Sequence, residues 1–385
     1  LEQEFRIPRE NVAVTFTHSH TAPMLANTLS TLFGMPIPNE HQEHIERYTR
    51  ELADAMFEVA SESLQSMRPA RLEWGVGEIG FAVNRRTRGG PADHDLPVLV
   101  VRDAQNKVTA VLTTYACHCV TLSNNKVSGD WAGFAMEAIQ REWPDAVALV
   151  TIGCGADQNP DSGVTGERVE TAQAQGAAIA SEVSRLLRSP LAPVAGPLTA
   201  TLDRFPLPLA PLLTVAEWKE KAKAQDAIGY HARTQLARLE KGEALRTEID
   251  YSVQTFAFGR SFAMAFLPGE VVVDYATRLK QELDGRRLWL HGYANDAPGY
   301  VPSERILREG GYEGGGAMVY YDLPVGYAPG LEEKIVAAVR QPLDAHFASP
   351  HDSQKLQGTR SLSPHQSLKR MKVADELEVE LVVAE

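Results

Sequence analysis

The sequence predicts an α/β protein with a mixed, largely parallel sheet flanked by helices. Three observations carry that reading. Residues 108–187 alternate strand, helix, strand, helix, the order that builds parallel pairs with helical crossovers. Apolar, β-branched runs of strand length, such as Ala146 to Ile152, read as buried strands. Chemistry-bearing residues cluster just past the expected strand ends, where open α/β sheets collect ligands.

Each element follows from its local pattern. Leu1 to Phe5 reads as helical. Val12 to Phe16 is an apolar run expected to form a strand, with a turn near Thr17. His41 to Ser66 is a long helix, with Ile45, Tyr48, Leu52, Met56 and Val59 near a 3.6-residue period. Leu72 to Gly80 and Pro97 to Val101 read as strands around a basic loop, Phe81 to Gly90. Val108 to Cys119 is a strand ending at His118. Asp130 is the expected N-cap of a helix from Trp131 to Glu142, which Pro144-Asp145 ends. The Ala146–Ile152 strand runs into a glycine-rich loop, Gly153 to Pro160, and Glu170 to Leu187 is a helix. Pro190 to Leu209 is extended. Val215 to Leu245 is a surface helical pair, and Tyr251 to Leu267 is a hairpin turning at Gly259-Arg260. A helix after Glu270, a strand from Arg287 to Tyr293 and a helix from Leu331 to Ala345 complete a domain over residues 1–348. Residues 349–370 read as a C-terminal linker, and Val373 to Glu385 as the first strand of a further, truncated module.

Composition narrows the function. Of 385 residues, 44% are hydrophobic and 23% charged, ordinary for a globular chain with a full-sized core. The formal charge of −12 argues against an extended nucleic-acid footprint. No apolar run is long enough to span a bilayer. Cys117, Cys119 and Cys154 do not make a disulfide framework and read as small buried residues.

The most informative motif is Thr17-His18-Ser19-His20-Thr21-Ala22-Pro23, because His-x-His at a strand end can bring two imidazoles to one point. By itself it is also read as two surface histidines. Strand ends elsewhere offer His118, Glu270 and Tyr300, a nitrogen and oxygen donor set of the kind zinc takes. Spacing alone does not assemble these residues. Arg85, Arg86 and Arg88 could anchor an oxygen-rich substrate group.

Five motifs in order resemble the catalytic domain of the neutral/alkaline non-lysosomal ceramidase family. They are Thr17 to Pro23, Asn84-Arg85, His118 with Ser128 to Phe134, Gly269-Glu270, and Tyr300-Val301 followed by Tyr312-Glu313-Gly314. The resemblance covers about residues 10–345 and implies a zinc-dependent hydrolase of an N-acyl amide, ceramide-like or a related lipid amide. It implies His18, His118, Glu270 and Tyr300 as Zn2+ ligands, His20 as a proton carrier, and Arg85 and Tyr312 as groups that polarise the substrate carbonyl. Asn159 stands where the family has an active-site serine, within Ala156 to Pro160. An amide is not a nucleophile, so attack by metal-activated water survives this change and a serine acyl-enzyme does not. Pro302-Ser303 likewise replaces a Thr-Thr pair.

The resemblance further implies a secreted or periplasmic protein, a first strand before residue 1, and covalent continuity with further domains. Ser363 to Arg370 and Val379 to Val382 resemble the start of a propeller-type dehydrogenase module of planctomycete-type bacterial proteins. Leu25, Leu29, Leu32, Phe33, Met35 and Ile37 are candidates for an apolar rim that admits a lipid. The competing readings are a zinc hydrolase of another ester or amide, a barrel-type metallohydrolase for which only His291 is suitably placed, and a catalytically altered binding or scaffold domain.

Overall fold

The computed structural model describes residues 1–348. The expected linker and truncated module at 349–385 lie outside the described residues. In chain order the helices are α1 (Glu2–Phe5), α2 (Asn39–Gln65), α3 (Asp130–Glu142), α4 (Val169–Leu187), α5 (Val215–Lys221), α6 (Ala227–Glu240), α7 (Val273–Glu282), α8 (Glu304–Glu309) and α9 (Leu331–Phe347). The strands are β1 (Arg71–Glu78), β2 (Ala82–Asn84), β3 (Asp95–Arg102), β4 (Val108–Tyr115), β5 (Val147–Ile152), β6 (Gln158–Pro160), β7 (Ala192–Pro193), β8 (Leu198–Pro208), β9 (Glu248–Phe258), β10 (Phe262–Phe266), β11 (Glu270–Val271), β12 (Leu288–His291) and β13 (Tyr300–Val301).

The α/β class is as expected, but the strands form two principal mixed sheets rather than one largely parallel sheet. The first has the order β5-β4-β3-β1-β7, and the second β12-β10-β9-β8. Parallel pairing is confined to β4 with β5, β10 with β12, and the short pair β11 with β13. Connection length explains this. The loop from β3 to β4 closes tightly, with Asp103 N–H donating to Lys107 O, and β9 returns into β10 at Gly259-Arg260. Such short links permit only antiparallel neighbours, whereas β4 reaches β5 through α3.

Period-two alternation sorts the side chains into layers. Val98, Val100 and Val111 of the first sheet pack under Trp131, Ile139, Ile179 and Val183 of α3 and α4. Their neighbours Leu99 and Leu112, a cross-strand pair, point the other way. There they meet Phe262, Met264 and Phe266 of β10 and Trp289 of β12. The intervening Ala263 and Ala265 face Tyr275 and Leu279 of α7 and Ile335 and Val339 of α9. The result is helices, sheet, sheet, helices. The helical pair α5 and α6 has a small core of its own around Trp218, Ala232 and Leu245.

Three expected elements differ. Val12 to Phe16 is not a strand: it makes one bridge, Thr15 to Ala294, because Val14 N–H is taken by the Asn295 side chain instead of a ladder partner. The β4 strand ends at Tyr115, not Cys119. Gly153 and Gly155 let the next loop approach so closely that the chain turns inward, and Cys117 N–H folds back on Tyr115 O. Asp130 is the first residue of α3 rather than its N-cap. It has a left-handed φ of 54°, and its carboxylate accepts from Trp131 N and Leu122 N. Helix α2 forms as expected, yet none of its residues is buried among the described residues. All three cysteines are free and buried.

Candidate metal centre

Glu270 and Tyr300 are brought together by the shortest parallel pair in the fold. They are direct partners in β11 and β13. A glycine precedes each, and both have positive φ, 80° at Gly269 and 126° at Gly299. A Cβ on Gly269 would lie 2.5 Å from Gly299 O, so the two chains can meet here only without side chains. Tyr293 N–H donates to Gly269 O and Glu270 N–H to Gly299 O, which locks the register. Glu270 and Tyr300 are both buried.

Three histidines converge on Glu270. His118 follows β4 and is held by its backbone N–H on Gln158 O. Its Nδ1 lies 2.8 Å from Gly155 O, a contact only an N–H can make favourably, so Nε2 is the basic nitrogen. That Nε2 is buried without a hydrogen-bond partner and lies 3.1 Å from Glu270 Oε2. His18 sits at a left-handed turn, φ 54°, with its ring stacked on Tyr293. Its Nε2 is 3.3 Å from the same carboxylate oxygen and 3.2 Å from His20 Nε2. One nitrogen each from His18, His20 and His118 falls within 4.8 Å of the others, an arrangement that could hold a metal ion.

The chemistry of these donors fits a small divalent cation. Zinc bonds of about 2.0–2.1 Å in a tetrahedron place ligand atoms roughly 3.3 Å apart, close to the 3.3 and 3.1 Å from Glu270 Oε2 to His18 and His118. The protonation states also fit. Burial, together with His118 and Arg85, outweighs the pull of Glu270 and lowers the His18 pKa to about 4. The crowded inner face of His20, with His18 and His118 beside it, lowers its pKa as well, although its outer edge is exposed. Burial alone would raise Glu270; His18, His118 and the Tyr321 hydroxyl pull it below the usual carboxylate range. At neutral pH His18 and His20 are thus neutral imidazoles and Glu270 an ionised carboxylate, the forms that bind metal.

Arg85 closes one side. It leaves the end of β2 and spreads its guanidinium over three partners. Nε donates to Glu313 Oε1 at 2.8 Å, Nη2 to Tyr300 Oη at 3.0 Å and Nη1 to Asn159 Oδ1 at 3.4 Å. Two of its five N–H groups remain for another acceptor. Burial and Glu270 push the Tyr300 hydroxyl upward in pKa, so it is protonated unless a cation is bound beside it. Tyr312 is 48% exposed, with Arg85 over its ring and Tyr300 edge-on at 5.2 Å. His20, Arg85, Tyr300, Tyr312 and Glu313 line an open cleft of about 520 Å³. On the other side, His18 and Tyr321 open onto a larger hollow of about 1200 Å³ that includes Leu25, Leu29 and Arg238.

The eight residues that the family resemblance singles out therefore lie together, whereas Arg88 is exposed and has no contact in the site. Three further side chains are built into it. Tyr321 donates a hydrogen bond to Glu270 Oε1, while Oε2 faces the histidines and accepts from Tyr293 at 3.4 Å. Glu313 holds Arg85 and Arg86 together, at 2.8 and 2.6 Å. Buried Asp157 accepts from Val273 N–H and Asn84 Nδ2, tying the start of α7 to the Arg85 loop; burial raises its pKa to about 6. Glu313 and Asp157 lie inside quoted motifs, so their neighbours could have flagged them. Tyr321 has no sequence signal beyond a tyrosine pair. His291, the residue offered for a barrel-type centre, is not in the site. It is buried in β12, stacked on Phe266.

No family model and no curated protein sequence matches the chain. Solved structures do. Neutral ceramidase from Pseudomonas aeruginosa aligns with a TM-score of 0.60 at 16% identity, covering 86% of this chain and 61% of that one. A ceramidase complexed with C2 aligns with a TM-score of 0.58 at 16% identity, covering 86% and 62%. The chain spans roughly three fifths of the length of these proteins. The chain therefore has the fold of neutral ceramidase.

Proposed function

We propose that this protein is a zinc-dependent hydrolase that cleaves an N-acyl amide bond. The observation that carries the reading is His118: a buried imidazole with its Nδ1 committed to Gly155 O and its Nε2 free, facing an ionised carboxylate at 3.1 Å. A cation held between that nitrogen and the carboxylate would satisfy both buried groups. His18, His118, Glu270 and Tyr300 are assigned as ligands, with Gly155 O and Tyr321 orienting them.

Bound zinc supplies Lewis acidity and a nucleophile at neutral pH. The protein's own groups do the rest. His20, at the exposed mouth, takes a proton and returns one to the departing amine. Arg85 and Tyr312 donate to the carbonyl oxygen as it gains charge, with Arg85 held in place by Glu313. Asn159, its Oδ1 on Arg85, orients that guanidinium and offers its amide N–H₂ to the substrate. An acyl or amine arm of lipid character is supported by Leu25 and Leu29, which line the hollow beside His18; Leu32, Phe33 and Met35, a few residues on, are exposed.

The test is hydrolysis of a panel of fluorogenic N-acyl amides, acyl chain and amine varied separately. Activity should vanish with a chelator and return with zinc. Activity indifferent to chelation, or no turnover of any member by zinc-loaded protein, would overturn the reading.

A further inference from the structure

We infer that Arg238 and Gln235 of α6 are positioning residues for Glu270, acting through Asp322 and Tyr321. The inference rests on the reading of Glu270 as a metal ligand. The two oxygens of that carboxylate have different tasks: Oε2 faces His18 and His118 and accepts from the Tyr293 hydroxyl at 3.4 Å, and Oε1 takes the Tyr321 hydroxyl. The Tyr321 bond, together with that longer Tyr293 contact, therefore sets the rotation of the carboxylate about its last torsion, and with it the place of Oε2.

Tyr321 needs support of its own. It is the last residue of a single 3₁₀ segment, Gly316–Tyr321, whose hydrogen bonding is weak. The next residue, Asp322, ends that segment at a left-handed φ of 57°, a conformation costly for a residue with a side chain. Asp322 is held there from the helical pair. Arg238 Nη1 donates to Asp322 Oδ1 at 2.9 Å and Nη2 to Oδ2, a two-pronged grip. Gln235 Nε2 donates to Oδ1 at 2.7 Å and lies 3.0 Å from His231 Nε2, which fixes the amide against the buried imidazole. Gln235 and His231 are both buried. Thr31 anchors the same segment at Val319 O, and Leu323 N–H donates back to Met318 O, so the grip on Asp322 is one of several supports. The chain of contacts runs from an otherwise separate pair of helices, with its own core, to the carboxylate of the centre.

The experiment measures zinc affinity by competition with a chromogenic chelator. It compares wild type, Arg238→Met, Tyr321→Phe, the double variant and Arg233→Met. Arg233 is on the same helix but bonds only Ala222 O and Ala224 O, so it controls for loss of helix stability. Circular dichroism checks the fold of each. Arg238→Met should weaken zinc binding roughly tenfold, within the range for groups that orient ligands. Tyr321→Phe should weaken it at least as much. The double variant should be no weaker than Tyr321→Phe alone, because both changes cut one path. Should Arg238→Met fail to fold, Asp322→Asn keeps the left-handed conformation accessible and should give a partial loss. Additive losses, or an equal loss in Arg233→Met, would overturn the inference while leaving the metal centre standing. A wild type that binds no zinc would remove both.

Discussion

At the scale of the residue, the site is a matter of which nitrogen is free. Gly155 O fixes the His118 tautomer, Tyr293 fixes the His18 ring, and Tyr321 fixes Glu270. His20 meets the His18 ring edge-on, Nε2 to Nε2 at 3.2 Å, and is exposed, which sets its role apart. His20→Ala should retain zinc and lose about 10²-fold or more in kcat, the scale of general acid–base catalysis. Zinc content and kcat measured on the same sample check this; loss of metal in His20→Ala would make it a ligand instead. A second residue-scale prediction concerns acid stability. His291 is fully buried, its Nδ1 lies 3.0 Å from Thr151 Oγ1, and its Nε2 has no partner. Burial lowers its pKa from 6.5 to about 3. A folded pKa below the unfolded one means the group stabilises the fold above pH 6.5 and loses that contribution as pH falls through 6.5 toward 3. Between pH 7 and pH 5 the loss is about 2 kcal/mol. His291→Phe, stacked on Phe266, should flatten the acid slope of the urea midpoint by that amount. An unchanged slope would show that the group does not titrate on unfolding. The His-x-His motif and the strand-end donors were legible in the sequence because they are local patterns. Tyr321, which donates to Glu270, was not, and Glu313, though inside a quoted motif, shows its role as the acceptor for Arg85 only in the folded chain.

At the scale of the element, two short strands with glycines ahead of them do the assembling. Gly269→Ala puts a Cβ against Gly299 O at a positive φ, and should cost about 2–4 kcal/mol and weaken zinc binding. Gly163→Ala has a similar φ of 64° but open space around it, so it should cost only about 1 kcal/mol and leave zinc binding alone. Chemical denaturation and zinc titration of both variants check the difference; equal costs would mean backbone strain, not the close approach, is what matters. Long elements were legible because their periods are long: α2, α4, α9 and the β9–β10 hairpin fall close to where the pattern places them. Ends were less so. The strand expected to reach Cys119 stops at Tyr115 because a loop of glycines from elsewhere in the chain packs there. The apolar run at Val12 pairs with the backbone around the Thr15–Ala294 bridge, but Val14 N–H is taken by the Asn295 side chain.

At the scale of the whole molecule, two sheets packed face to face replace the single sheet that strand-helix alternation suggests. Alternation over 108–187 is real, but it describes one parallel step, from β4 to β5. What sets the sheet count is the second face of each strand, and Leu99, Leu112, Phe262 and Phe266 read only as apolar until they meet. The centre lies where strands of both sheets end: His118 follows β4 of the first, and Tyr293, just past β12 of the second, stacks on His18. A cation at that seam should tie the halves together. Zinc at a hundredfold excess over its Kd should stabilise the fold by about 2.7 kcal/mol, seen as a rise in Tm that His18→Ala abolishes. The central claim is tested most directly by the metal content of the purified protein, measured by plasma mass spectrometry on wild type and His118→Ala side by side. A centre built on His118 should give about one zinc per chain in wild type and little in the variant. No zinc in either, or the same zinc in both, would contradict it.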